Sequence, residues 1–424
     1  MTITRLATAP LTVLAFMACS LAAAGDWPQI LGPARNGTTA ADERILDAWP
    51  DAGPPVVWRR QVGAGVAGAA VAGGRLFLFH RVGDREVLEA VGAASGEPLW
   101  SDGHATSFVP QVGGDAGPLC TPVVAGDRVI VFGAQGVLAC VEAATGKRLW
   151  SRTTHREFDA AEGYFGAGST PLVIGRRVIV NVGGARRGAG VVAFDLDTGE
   201  TLWTATDEPA SYSAPLAVRL DGRDHALVVS RYRCQLLDAA DGRECWSFPF
   251  GQRGPTVNAA SPVVFGDGHL MVTAAYGIGS VYAAFDARSV TPVWQGTESL
   301  ASQYATPVEV GGHLYAIDGR DDVPPAALKC LDRATGRVRW TAGDLGYGTL
   351  LAVDGKLLVA CTSGELILVN PDPAGLRILG RCRPFAAAGG TLRALPALAA
   401  GRLYLRNAAE LICLDLGPPG RHAP

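Results

Sequence analysis

After its first two dozen residues this chain has no long apolar run. Every later hydrophobic stretch is strand-sized, so no transmembrane helix is expected beyond the N-terminus. Charge is also scarce. Asp, Glu, Lys and Arg make up 18% of 424 residues, and the formal net charge is −3. That balance lacks the basic footprint that phosphate backbones or anionic membrane surfaces attract, and nucleic acid is not expected as a partner. The chain has no Cys-x-x-Cys pair and no His/Cys cluster for zinc. It has no Gly-x-Ser-x-Gly, His-Glu-x-x-His or phosphate-loop motif. Its seven histidines are scattered; His269 and His313 follow Gly268 and Gly312 at matching hairpin positions, which suits surface roles. What is abundant is glycine, 54 residues, within a composition that is 48% hydrophobic. That mixture favours short strands joined by tight turns.

The start of the chain has the form of an export signal. Arg5 precedes an apolar run from Leu6 to Ala18, and small residues follow. Ala22-Ala23-Ala24 fits signal cleavage, giving a signal peptide over 1–24. Phe16-Met17-Ala18-Cys19 resembles a lipobox, which would place a lipid anchor on Cys19 instead. Either way the protein is expected to be periplasmic or secreted. Nine cysteines are present, and removing Cys19 leaves eight. Disulfides are permitted in an exported chain. However, Cys140, Cys330 and Cys413 each stand two residues before the acidic residue ending a strand, where other repeats carry Ala193, Ala284 or Leu236. Such a slot reads as a small buried position. Cys234 and Cys245 flank one hairpin turn and are the candidates for a bridge.

A motif recurs through the rest of the chain. Thr145-Gly146 leads to Trp150, Thr198-Gly199 to Trp203, Asp241-Gly242 to Trp246, Thr335-Gly336 to Trp340, and Ser95-Gly96 to Trp100. The fullest unit runs Thr121 to Val124, Arg128 to Phe132, Val137 to Glu142 and Lys147 to Trp150, four short strands each closed by a turn signal. Trp58, Trp100, Trp150, Trp203, Trp246, Trp294 and Trp340 stand 42 to 53 residues apart. Four strands per unit at that period indicate a β-propeller. A seventh unit starting at Gly355 lacks the Trp, and an eighth, from Gly401 to Asp415, has only three strands. Pro55 to Trp58 is an orphan fourth strand. If it completes the last unit the ring closes, so the expected fold is all-β with eight blades over 55–416; seven blades is the alternative. Residues 25–54 read as an extended N-terminal segment and 417–424 as a tail.

The pattern Ala-x-Asp-x-x-Thr-Gly-x-x-x-Trp, carried by Ala193 to Trp203, resembles the pyrroloquinoline-quinone-type (PQQ) repeat. The chain from about 55 to 416 is similar to the quinoprotein-dehydrogenase-like propeller superfamily. That group includes PQQ-dependent alcohol dehydrogenases and non-catalytic BamB-type proteins of outer-membrane assembly. The opening Trp27-Pro28-Gln29, Gly32-Pro33 and Asn36-Gly37 is similar to a secreted subgroup. The resemblance implies PQQ and calcium as cofactors where a vicinal Cys pair, a flat Trp platform, Glu and Asn calcium ligands and an Asp base are present. This chain has no adjacent cysteines, and its Trp residues from 58 onward fall on outer strands. No cofactor is therefore expected.

In such a ring one face carries the loops between blades and the turns between second and third strands. The longest inter-blade loops are Ser101 to Leu119 and Ser151 to Ser169. Aligning the inner strands on Pro122, Pro171, Pro215, Pro262 and Pro307 brings Tyr212, Tyr304, Tyr347 and Arg393 to one level, near the channel mouth. The turns after second strands add Arg231, Tyr232, Tyr276 and Asp318. Tyr212, Arg231, Tyr276, Tyr304, Asp318, Tyr347 and Arg393 are therefore the candidate ligand-binding residues; filling a wide inner ring is their structural alternative. Asp318, Asp321 and Asp322 form the one acidic cluster on that face, and a solvated loop explains them without calcium. The expected function is a binding or scaffold module, a monomer, taking a protein or small polar ligand on the loop-bearing face. A quinone-dependent dehydrogenase and a BamB-like assembly factor are the rivals.

Overall fold

The computed structural model describes residues 25–50, 52–385 and 391–418. The signal and lipobox readings lie outside the described residues. Eight four-stranded antiparallel sheets follow one another as the blades of a propeller. Blades 1 to 7 span 70–105, 123–153, 172–205, 216–249, 263–296, 308–342 and 348–382. Blade 8 takes three strands from 397–415 and its fourth from Val56–Gln61. That strand pairs with the last one, Trp58 opposite Cys413 and Gln61 opposite Glu410. The orphan strand closes the ring and removes two free sheet edges. Among the described residues no helix is long and apolar enough to cross a membrane.

Each blade buries both faces against its neighbours, as Phe77 and Phe79 of blade 1 do against Val129 and Val131 of blade 2. At the rim of the joint the outer-strand Trp reaches over the next blade. Seven indole N–H groups donate to turn carbonyls: Trp58 to Ala93 (3.0 Å), Trp100 to Ala143 (3.1 Å), Trp150 to Leu196 (2.9 Å) and Trp203 to Ala239 (3.2 Å). Trp246 donates to Asp286 (2.8 Å), Trp294 to Arg333 (2.9 Å) and Trp340 to Asp372 (2.8 Å). The turn glycine has two jobs here. Gly146 has φ +73°, and a Cβ on it would stand 2.4 Å from the Trp100 ring. Glycine therefore supplies both the backbone turn and the seat for the preceding blade's indole. A β-bulge lies on the outer strand just before each of these Trp, with Val57, Leu99, Leu149, Leu202, Cys245, Val293 and Arg339 as the unpaired residues. It adds local twist on the strand that aims the ring.

The cysteines follow from this arrangement. Cys140, Cys330 and Cys413 lie opposite Trp150, Trp340 and Trp58, wholly buried as expected. In blade 5 the position opposite Trp294 is Tyr282, not Ala284, because Asp286 sits inside a tighter turn instead of at the strand end. The suggested Cys234–Cys245 bridge is not formed. Cys234 faces Phe248 in the ladder, Cys245 lies a turn away, and the eight cysteines from Cys120 to Cys413 are free thiols.

The segment before the propeller is a structural part of it. Trp27 bridges to Val71 of blade 1, and Pro28 accepts the Val124 N–H of blade 2. Thr38 bridges to Ala352 of blade 7, and Glu43 accepts the Ala400 and Gly401 N–H groups of blade 8. Trp49 then takes the one joint that lacks its own indole. Gly380 occupies the Trp position in blade 7, opposite Leu368, and a Cβ there would come 3.1 Å from the Trp49 ring. The Leu416 carbonyl, equivalent to those that accept indoles elsewhere, takes the Leu46 N–H instead (2.8 Å). Trp49→Ala should therefore destabilise the fold by about 3–5 kcal/mol, as Trp150→Ala should, although Trp49 lies outside the repeat. Urea unfolding of both variants checks this, and a Trp49→Ala cost near zero would remove its role in the joint.

Candidate functional site

The N-terminal segment also closes the channel from the turn-bearing face. Arg35 is wholly buried on the inner strands, donating to Gln29 Oε1 (2.7 Å), the Pro215 carbonyl (2.6 Å) and the Pro171 carbonyl. Its partners are neutral, and burial pulls the guanidinium down to about 9. A buried cation satisfied only by carbonyls ties blades 3 and 4 to the segment and leaves the loop-bearing face as the open end.

On that face six of the seven predicted residues fall into two groups, and Asp318 belongs to neither. Tyr212 and Arg231 line a pocket of about 170 Å³ over blades 2 to 4, together with His155, Glu162, Tyr164, Asn181 and Tyr232. The Tyr212 hydroxyl accepts the Phe165 N–H (3.0 Å), and burial raises its pKa. Arg231 donates to the Gly254 carbonyl (2.6 Å). Two buried polar atoms at this pocket have no protein partner, His155 Nδ1 and Asn181 Oδ1. His155 starts in the short helix Thr154–Phe158, which Thr154 pins by donating to the Gly136 carbonyl (2.8 Å). The ring lies on Gly136, where a Cβ would be 2.3 Å away, and edge-on to Phe132. Neither His155 nor Asn181 was singled out from sequence. The available signal was that only His104 and His155 lie in the two longest loops.

Tyr276, Tyr304, Tyr347 and Arg393 meet in a second group over blades 5 to 8. The Tyr304 and Tyr347 rings are 4.5 Å apart, and Arg320 sits 4.5 Å over Tyr276. Gln303 donates to the Tyr276 hydroxyl (2.9 Å) and accepts the Asp321 N–H (2.8 Å). Arg393 pairs with Asp321 (2.9 Å), which also accepts from Thr362. Tyr347 is a structural member: its hydroxyl accepts the Tyr304 and Ala305 N–H groups (2.7 and 2.9 Å), and burial raises its pKa. Asp318 stands apart, paired with Lys329 (2.9 Å) and accepting the Ala301 N–H (2.7 Å). Asp322 is held by Arg320. Among the described residues no three His, Cys, Asp or Glu side chains converge as metal ligands.

The two longest loops are joined into one surface. Glu86, fully buried, bonds His104 (3.0 Å) and the Ala134 N–H (2.9 Å) at their base. Gln135 accepts the Ser107 N–H (3.0 Å) and donates to Glu162 (2.9 Å). The Gln111 N–H donates to the Tyr164 carbonyl (3.0 Å). Arg81 holds the Phe108 and Ala116 carbonyls. The loop so braced exposes Val109 at 74% and Val112 at 59%, with Val82 and Tyr164 also exposed nearby along the same braced elements. Of the other exposed aliphatics, Val57, Leu99, Leu149, Leu202 and Val293 each precede a Trp and sit singly around the rim, which calls for no partner; Val56 and Val323 are exposed elsewhere.

A protein-family model described as outer membrane protein assembly factor BamB matches residues 83–342. A quinohemoprotein alcohol dehydrogenase, ADH IIB, of Pseudomonas putida is 35% identical over 135 residues, 30% of this chain and 18% of that enzyme. An outer membrane protein assembly factor BamB of Moranella endobia is 22% identical over 284 residues, 61% of this chain and 66% of that protein. The chain thus spans under a fifth of the first relative's length and just under two thirds of the second's. Among solved structures, BamB of Moraxella catarrhalis superposes with a TM-score of 0.61 at 18% identity, covering 85% of this chain and 99% of that one.

Burial also makes a pH dependence. It lowers His155 to about 4, and His80, buried near the Arg406 and Arg60 charges, likewise to about 4. An unfolded histidine titrates near 6.5. Between those values the unfolded chain binds protons that the folded one does not, so stability falls as pH drops from about 6.5 towards 4. The loss should be on the order of 2 kcal/mol per histidine. His155→Gln should flatten part of that slope in urea melts at stepped pH, and an unchanged slope would contradict a neutral buried ring.

Proposed function

The chain belongs to the PQQ-type propeller family described as outer membrane protein assembly factor BamB, and on that premise we propose that it is a non-catalytic docking module of the cell envelope. Its partner is a protein engaged by the loop-bearing face over blades 1 to 3. The observation that carries this reading is the braced loop pair exposing Val109, Val112 and Tyr164 next to a recess with unpartnered polar atoms. Apolar groups held rigidly in water beside a pocket suit an anchor residue with a polar tip. His155 Nδ1 and Asn181 Oδ1 would meet that tip. The names of the relatives point to assembly of outer membrane proteins as the setting, and a periplasmic location agrees with it.

The dehydrogenase relatives raise the question of PQQ and calcium. The residues present do not fit that pair. The repeat tryptophans are committed to blade joints, with their N–H groups bonded to turn carbonyls. Asp318, Asp321 and Asp322 are matched by Lys329, Arg393 and Arg320, and among the described residues no three carboxylates converge into an oxygen-rich cage for a divalent ion. No step is therefore routed through a quinone.

Photo-crosslinking in intact envelopes tests the reading. A crosslinker at position 109 or 112 should trap an outer-membrane assembly protein, and one at rim positions 202 or 293 should not. Equal capture at both faces, or none at 109 and 112, would remove the proposal. Adding PQQ with calcium should leave the melting temperature unchanged; a saturable rise would restore the oxidoreductase.

A further inference from the structure

A second recess on the loop-bearing face lies where blade 8 meets blade 1. It has a volume of about 100 Å³ and is lined by Gly65, Val66, Asp115, Thr391, Arg393 and Arg406, with the Asn407 turn. Arg406 is its unusual member. The side chain is 2% exposed. Its Nη2 donates to the Gly63 carbonyl (2.8 Å) and its Nε to the Asn407 carbonyl (3.3 Å), while Nη1 has no partner. Among the described residues no carboxylate lies within ion-pair distance of it. A buried guanidinium with an idle N–H edge and only carbonyl partners is costly unless something answers its charge.

The other charged groups of the recess define what that something is. Arg393 is already shared with Asp321 but half exposed at the rim. Asp115 uses one oxygen to accept the Gly117 N–H (2.8 Å) and makes no ion pair among the described residues. Its field reaches Arg406 without touching it. The recess therefore has a positive wall and a negative wall. A simple anion would meet Arg406 but be repelled by Asp115, and a simple cation the reverse. The recess is small, which suits a ligand of a few heavy atoms.

We propose that this recess binds a small zwitterion of the α-amino acid class, its carboxylate on Arg406 and Arg393 and its ammonium on Asp115. The guanidinium fork suits a planar carboxylate. The site shares the Ser101–Leu119 loop with the docking surface through Asp115, but its guanidinium groups, Arg393 and Arg406, come from the other side of the recess, and its test reads amino acid binding without a protein partner.

Isothermal titration of the mature protein with glycine and L-alanine tests this, with acetate, methylammonium and sodium chloride at matched ionic strength as controls. Glycine or alanine should bind saturably, and neither single-charge control should. Asp115→Asn and Arg393→Gln lie on exposed loops and should each weaken binding about tenfold or more, the loss of one charge-assisted bond. Arg406→Gln should abolish it, with circular dichroism showing that the fold is retained. Acetate binding as tightly as glycine would reduce the recess to an anion site and overturn the proposal. So would the absence of any amino acid binding, or an undiminished glycine response in Asp115→Asn.

Discussion

The contact between one blade's indole and the next blade's turn glycine is the constraint on which the rest of the ring depends. A four-stranded meander cannot bury both of its faces alone. The joint must therefore be sealed at its rim, and a ring of that size needs a seat with no side chain beneath it. The Gly146 seat leaves no room for even a methyl group. The indole N–H and the turn carbonyl then satisfy one another where neither reaches water freely. The glycine seat recurs beneath Trp58, Trp100, Trp150, Trp203 and Trp294, and a bulge lies beside every one of the seven Trp, while the residue opposite ranges from Ala and Cys to Leu236 and Tyr282.

That constraint divides the molecule by face. The turns that seat the indoles, together with the segment from Trp27 to Trp49, occupy one side, and Arg35 closes the channel from there. Variation is left to the other side. Its inter-blade loops need not repeat, and they carry the exposed valines, the two recesses and the polar network around Tyr304 and Tyr347. Within that face many charges are already answered by neighbours, as Asp318, Asp321 and Asp322 are by Lys329, Arg393 and Arg320.

Much of this was legible in the residues. The Trp period and the strand count were enough to give eight blades, and the missing fourth strand at the C-terminus pointed to Pro55–Trp58. Alignment on the inner-strand prolines set Tyr212, Tyr304, Tyr347 and Arg393 at one level; in the structure Tyr304, Tyr347 and Arg393 are neighbours while Tyr212 stands with Arg231, because equal height along a channel says nothing about angle around it. Blade 5 broke the register rule since its acidic residue belongs to the turn. The plug was not legible at all. Arg35 and Trp49 lie in a Gly- and Pro-rich stretch without period, and their partners are carbonyls and a glycine more than a hundred residues away. No local pattern encodes a contact of that kind.

Blade 8 is held on both flanks by residues from the front of the chain. Trp49 seals its joint with blade 7, Val56–Gln61 completes its sheet, and Trp58 seals its joint with blade 1. A stretch of about a dozen residues is thus a clasp for the whole annulus. Synthesis makes the clasp first and the strands it must fasten last, so the growing polypeptide is an open arc until its end is complete. It becomes a ring only when its two ends meet.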